Sequence, residues 1–172
     1  VCIMNFNLIY ESFFQILKGL GTSLEIIFLS LILGLMLSIF IVIIRLSKNM
    51  ALNTFSRSFV FVIRGTPLLV QIYFIYYGLA QFPAVRESIV WIVLKEPFWC
   101  GVLALTINTA AYTSEIIRSG LNSIIKGQIE SATAFGMTKF MAFKRILLPQ
   151  AIRQSIPAYS NEIILMIKAS SL

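Results

Sequence analysis

Between Glu25 and Arg45 the chain runs 19 residues without a charge, IIFLSLILGLMLSIFIVII. A helix needs roughly 20 apolar residues to cross the hydrocarbon core of a bilayer, so this run reads as a membrane span. Two further stretches follow it. Residues 65–85 hold no charge over 21 positions and contain VQIYFIYYGLA. Gly65, Thr66 and Pro67 open that stretch, which suits first turns or a bend better than the middle of a helix. Residues 97–114 are uncharged over 18 positions, with Pro97 suited to a first helical position and Glu115 just beyond. A weaker stretch near the end is interrupted by Arg153, Pro157 and Glu162 and would not stand alone in lipid. The expected transmembrane helices are therefore about 22–46, 58–81, 97–118 and 148–168.

Composition agrees. Of 172 residues, 58% are hydrophobic and 12% charged, against about 45–50% and about 25% in a soluble domain. Disorder, a secreted disulfide scaffold and a coiled coil are excluded. The net charge of +7 is not read as nucleic-acid binding, because basic residues in a lipid-soluble chain set orientation. The absence of histidine removes Ser-His-Asp and Cys-His catalysis and His-bearing metal sites, and no metal or catalytic residue is expected. Cys2 and Cys100 lie far apart, and Cys100, within an apolar run, reads as a small hydrophobe. VCIMNFNLIYESFF lacks a basic start and a small-residue cleavage site, so no removable signal peptide is expected. The fold class is an all-α integral membrane protein, with residues 1–172 forming a single transmembrane domain.

Ten of the fourteen Lys and Arg fall in two groups. One is Arg45, Lys48, Arg57 and Arg64; the other is Arg118, Lys126, Lys139, Lys144, Arg145 and Arg153. Basic residues mark cytoplasmic loops, so both groups belong inside and the N-terminus outside. Phe6, Ile9, Phe13, Leu17 and Leu20 share helical spacing, which suggests a short helix at 4–20 lying on the outer interface. AVRESIVWIVLKE (84–96), too short to span and with Trp91 suited to headgroup depth, reads the same way.

The segment 119–147 is long for a loop and neither Gly/Ser-rich nor highly charged. Ile129–Phe135 suits a short helix ended by Gly136, and Thr138 can cap a second helix running towards Leu147. Pro149 is expected to redirect the chain. Two short helices crossing at a small residue make a knob able to dock on a cytoplasmic partner.

The order Glu130-Ser131-Ala132, three residues, Gly136, nine residues, Ile146-Leu147-Leu148-Pro149 resembles the EAA loop of bacterial ABC importer permeases, which usually carry Ala at the position of Ser131. RGTPLLVQIYFIYYG (64–78), ALTINTAAYTSEIIRSGLNSIIKGQ (104–128) and LPQAIRQSIPAYSNEIILMIKASSL (148–172) look like the polar amino acid uptake branch. NTAAYTSE, PAYSNEIIL and QFP are most similar to permeases for arginine, histidine, lysine and ornithine. The resemblance implies a type I importer permease (MetI-like) helical bundle with four of the usual five transmembrane helices, in the bacterial inner membrane. It also implies a second permease subunit (same or related), cytoplasmic ABC ATPase subunits and an extracytoplasmic amino-acid-binding protein. The chain stops at KASSL, where the family continues with another helix, so a fragment or a natural truncation is expected.

No Walker pattern is present, so this chain is expected to bind no cofactor and to hydrolyse nothing. ATP and Mg would enter through the partner ATPase. In the family reading, Glu130, Ser131, Ala132, Gly136, Ile146, Leu148 and Pro149 carry the ATPase coupling, and Arg64, Gly65, Thr66 and Pro67 form a motif near the cytoplasmic interface. Polar groups inside a span are costly and face the bundle interior or water. Asn108, Ala111 and Glu115 at i, i+3 and i+7 share a helical face, where Asn and Glu can receive a cationic amino acid. Asn161 and Glu162 offer a second pair, although neighbours on a helix point about 100° apart, unless Pro157 distorts it. The structural alternative pairs Glu115 with Arg118 and bonds Asn108 to a neighbouring span. The rival functions are a non-transporting membrane anchor or assembly subunit, an inactive truncated permease, or a passive channel.

Overall fold

α1 (Phe6–Leu46) is one helix of 41 residues. The computed structural model describes residues 6–124 and 126–170, with side chains from Ile16 onward except those of Lys18 and Lys126. Cys2, the first two residues of the expected 4–20 helix, and the side chains of Phe6, Ile9 and Phe13 lie outside the described residues. The helix at 4–20 was expected to be separate; from Phe6 it is instead the first turns of α1. No proline interrupts KGLGTSLE, so backbone bonding continues into the span. Gly19–Leu46 is the part of α1 long and apolar enough to cross a bilayer.

α1 closes where Asn53 donates from Nδ2 to the Arg45 carbonyl at 2.6 Å. Asn49 then caps α2 (Met50–Gly65), its side chain accepting from the Ala51 N–H at 3.0 Å. Ser56 returns to α1 by donating to the Ile41 carbonyl. Ile41, Val60 and Ala110 form a small core between α1, α2 and α6.

The expected span 58–81 is corrected. Thr66 is extended (φ −111°, ψ 139°), as the residue before a proline is forced to be, and Pro67 supplies no N–H. α3 (Leu68–Tyr73) continues through a π turn at Phe74–Gly78 and a 3-10 turn at Leu79–Gln81. The direction changes by 107° between α2 and this segment. α4 (Pro83–Arg86) and α5 (Val90–Leu94) follow. Ile75, Leu94, Cys100 and Ala104 pack together, with Trp91 half-buried against them, and Cys100 Sγ donates to the Leu94 carbonyl at 3.0 Å.

α6 (Pro97–Asn122) is the centre of the bundle, touching α1, α2, α3, α5 and α9. Most of its buried positions are small, Ala104, Thr109, Ala110, Ala111, Ser114 and Gly120 among them. In hydrocarbon, helix association rests on close van der Waals contact and interhelical hydrogen bonds rather than on hydrophobic burial, so small residues mark the contacts. Ser30 accordingly donates to the Val102 carbonyl across α1 and α6 at 3.2 Å. Thr109 reaches Met166 Sδ on α9 at 2.8 Å.

α7 (Lys126–Ala134) and α8 (Lys139–Ala142) form the knob, joined through a π turn at Phe143–Leu147 to α9 (Leu148–Ala169). Pro149 does not redirect the chain. It sits in the first turn of α9, where a missing N–H costs nothing, and the preceding π turn keeps the backbone helical. Helix α6 extends to Asn122, so the expected loop 119–147 begins four residues later than its first position. α9 has 22 residues, enough to span, but it is not among the helices apolar enough to do so alone. Gln150, Gln154 and Asn161 lower its hydropathy together with Arg153 and Glu162.

Candidate functional site

A pocket of about 420 Å³ opens between the α2–α3 break, α6 and α9, with Arg64, Thr66, Pro67, Asn108, Tyr112 and Glu162 in its wall. Glu162 is 6% exposed, and none of the hydrogen bonds or ion pairs among the described residues engages its carboxylate. α9 runs through Pro157 as one helix, so Asn161, one position earlier, points elsewhere and is exposed. Asn108 and Glu162 therefore line one pocket; Asn161 does not join them.

Gln71 organises one wall. Buried in α3, it donates from Nε2 to the carbonyls of Ile63 (2.7 Å) and Thr66 (3.0 Å) and to Thr66 Oγ1 (2.8 Å). These groups end α2, whose last carbonyls lack intrahelical partners. Thr66 Oγ1 donates back to the Val62 carbonyl at 3.0 Å. The opposite end of the amide, Gln71 Oε1, accepts from Asn108 Nδ2 at 3.1 Å. The bend is thus fixed by a side chain that the sequence reading passed over. Its signal was an amide near the middle of an apolar, uncharged stretch, where an unpaired polar group is expensive.

A second, open cleft of about 1140 Å³ gathers Arg45, Arg57, Arg64 and Arg118 around Glu115. Residues from both sides of the α1–α2 turn and from the end of α6 therefore share one end of the bundle, as their charge predicts. Glu115 accepts from Arg45 Nη1 at 2.5 Å and from Arg118 Nε at 3.0 Å. Glu115 and Glu162 line different cavities, separated by Tyr112 and Arg64, both of which border each. The Arg64 guanidinium sits 5.1 Å from the Tyr112 ring centroid, a cation–π distance. Gly65 borders both cavities as well.

In the knob, Gly136 takes φ +73°. The Met137 N–H bonds to the Ala132 carbonyl at 3.0 Å and the Gly136 N–H to the Thr133 carbonyl at 2.9 Å, the paired bonds of a Schellman motif. Thr138 accepts from the Met141 N–H and caps α8. Ala132 is buried, Ile146 half-buried, and Glu130, Ser131, Gly136, Leu148 and Pro149 are exposed. Phe135 and Phe140 are 84% and 74% exposed. Two large aromatics left uncovered on one small knob were not singled out in the sequence, although FGMTKF carries both.

Residues 26–172 match the profile of the family described as "Binding-protein-dependent transport system inner membrane component". The chain belongs to this family. A nopaline transport system permease protein, NocM, from Agrobacterium fabrum is 49% identical over 170 residues, covering 98% of this chain and 70% of the relative. The arginine ABC transporter permease protein ArtM of Escherichia coli K12 is 41% identical, over 95% of this chain and 73% of its own. A crystal structure of an amino acid ABC transporter with histidines superposes with a TM-score of 0.84 at 36% identity, covering 98% of this chain and 74% of that one. The permease is thus an amino-acid ABC transporter subunit of the inner membrane, with the helical fold expected of it. In this permease the two cavities share α2 and α6, with α1 completing the cleft and α3 and α9 the pocket, and the knob leads directly into α9.

Proposed function

We propose that the permease moves amino acids bearing a cationic side chain, arginine or a close relative, by alternating access around the pocket at Asn108 and Glu162. The observation that carries this reading is the Glu162 carboxylate, buried in a pocket wall and engaged by none of the hydrogen bonds or ion pairs among the described residues. The Arg64 guanidinium in the same wall acts on this carboxylate's charge without forming an ion pair with it, and a cationic ligand supplies a direct, hydrogen-bonded partner. The relatives named for nopaline, octopine and arginine transport support the same class, while those named for glutamine make a neutral substrate the alternative to exclude.

Coupling enters through the knob. Glu130 pairs with a basic residue of the ATPase, and Phe135 and Phe140 insert into its surface. Ala132 permits close packing, Gly136 sets the turn, and Ile146, Leu148 and Pro149 pass the movement into α9. A rigid connection from α8 through the π turn into α9 favours this, since α9 carries Glu162. Arg64, Thr66 and Pro67 then form the wall that moves against α9. An extracytoplasmic binding protein delivers substrate, ATP and Mg act in the ATPase, and a second permease subunit completes the pathway.

The test is binding of labelled arginine, glutamine, octopine and nopaline to the permease–ATPase complex in nanodiscs. Arginine or an opine is expected to bind, and Glu162→Gln to weaken that binding about tenfold or more. Glutamine binding as tightly as arginine, or no effect of Glu162→Gln, overturns the substrate reading. Phe135→Ser with Phe140→Ser is expected to abolish co-purification with the ATPase; retention overturns the docking reading.

A further inference from the structure

We infer that Gln71 is a positioning residue that sets the hydrogen-bond polarity of the substrate pocket, so that Asn108 offers its oxygen rather than its NH₂ to a ligand. The inference rests on the proposed pocket at Asn108 and Glu162. It starts from the three oxygens around Gln71 Nε2: the Ile63 carbonyl, the Thr66 carbonyl and Thr66 Oγ1. Two are carbonyls, which only accept. The third, Thr66 Oγ1, has one proton, and it lies within bonding distance of the Val62 and Ile63 carbonyls. All three therefore want a donor. Turned end for end, the Gln71 amide would set its own oxygen against two carbonyls at 2.7 and 3.0 Å, a repulsion at a buried side chain.

The orientation of Gln71 then fixes its neighbour. Gln71 Oε1 faces Asn108, so Asn108 must donate, and its Nδ2 stands 3.1 Å away. That leaves Asn108 Oδ1 at the other end of its amide, with no described residue donating to it. Asn108 and Glu162 both line the 420 Å³ pocket. Two oxygen acceptors, one of them charged, suit an ammonium or guanidinium and leave a ligand carbonyl without a donor from this pair. The end of a broken helix thus selects, through two amides, the kind of group that Asn108 presents beside Glu162.

The experiment compares binding of arginine and of citrulline, its neutral isostere, to the permease–ATPase complex in nanodiscs, with the binding protein withheld so that its own selectivity does not enter. The wild-type complex is expected to prefer arginine; equal binding overturns the underlying substrate reading. Gln71→Met keeps the length of the side chain and removes both amide ends, freeing Asn108 to turn. It is expected to lower the arginine-to-citrulline ratio about tenfold, the scale of one mispaired buried polar group. If Gln71→Met weakens both ligands equally, Gln71 only braces the bend and the inference fails. Should Gln71→Met not accumulate, Asn108→Asp reads the same polarity from stability. A carboxylate opposite Gln71 Oε1 is expected to lower the melting temperature below that of Asn108→Ala, whereas a melting temperature above it overturns the assignment.

Discussion

Gly34 on α1 faces Thr109 on α6 so closely that a β-carbon at position 34 would lie 2.9 Å from Thr109 Cγ2 and 3.2 Å from its Cβ. Thr109 is fully buried and itself bonded to Met166 on α9. Helices α1, α6 and α9 are thus held at one level, by a hydrogen atom on one side and a hydroxyl on the other.

Gly34→Ala is expected to destabilise the permease by about 1–3 kcal/mol, the usual cost of overpacking. Thr109→Ser removes the clashing methyl and keeps the hydroxyl, so the double variant should recover part of that loss. Thermal unfolding of the purified complex in detergent measures both.

Gly120 presents a harder case. A β-carbon there would come 2.8 Å from the Ala151 carbonyl oxygen of α9 and would also strike Ser155. Ser155 can rotate, but the backbone at 151 cannot, so Gly120→Ala must push α9 away from α6. Its melting temperature should fall further than that of Gly101→Ala, where the nearest atom is 4.0 Å away.

One carboxylate, Glu115, serves two guanidiniums. Glu115→Gln leaves both Arg45 and Arg118 without an ionic partner, whereas Arg45→Gln leaves Arg118 paired. The first is expected to cost about 1–2 kcal/mol and the second less, because the groups are half-buried rather than dry. Arginine binding should change little in either variant if Glu115 is a brace between α1 and α6. A loss as large as that of Glu162→Gln would place Glu115 in the transport path instead.

Gly136 has open space around its missing side chain but a left-handed backbone. Gly136→Ala is therefore opposed by conformation alone, about 1–2 kcal/mol, and Gly136→Asn by less, since Asn tolerates that region. Substrate-stimulated ATP hydrolysis by the assembled transporter should fall in the order Asn, Ala, Val, with Val worst because it is β-branched.

The parts legible in advance were those that depend on near neighbours. Gly136 and Thr138 were readable because a helix end is decided within one turn. The clustering of Arg45, Arg57, Arg64 and Arg118 at one end was readable because charge partitions by side. Asn108 and Glu162 were candidates because hydrocarbon penalises polar groups wherever they fall. Asn161 shared that signal yet lies outside the pocket, since only the rotation of α9 decides which of two adjacent residues faces inward. Pro149 misled for a related reason: its effect depends on the π turn before it, which single-residue preferences do not reveal.

By itself, then, the order of residues determined that this chain lives in a bilayer, which end is basic, where its short helices stop, and to which family it belongs. Each of these follows from local chemistry or from wording shared along the chain. Only the tertiary structure decided that α1 runs unbroken, that α2 and α3 bend by 107°, and that Glu115 is ion-paired while Glu162 faces a pocket. Those outcomes depend on groups far apart in sequence, such as Arg45 with Glu115 and Gln71 with Asn108. A polar group in hydrocarbon must find a partner, but the chain cannot say which one until the helices have packed.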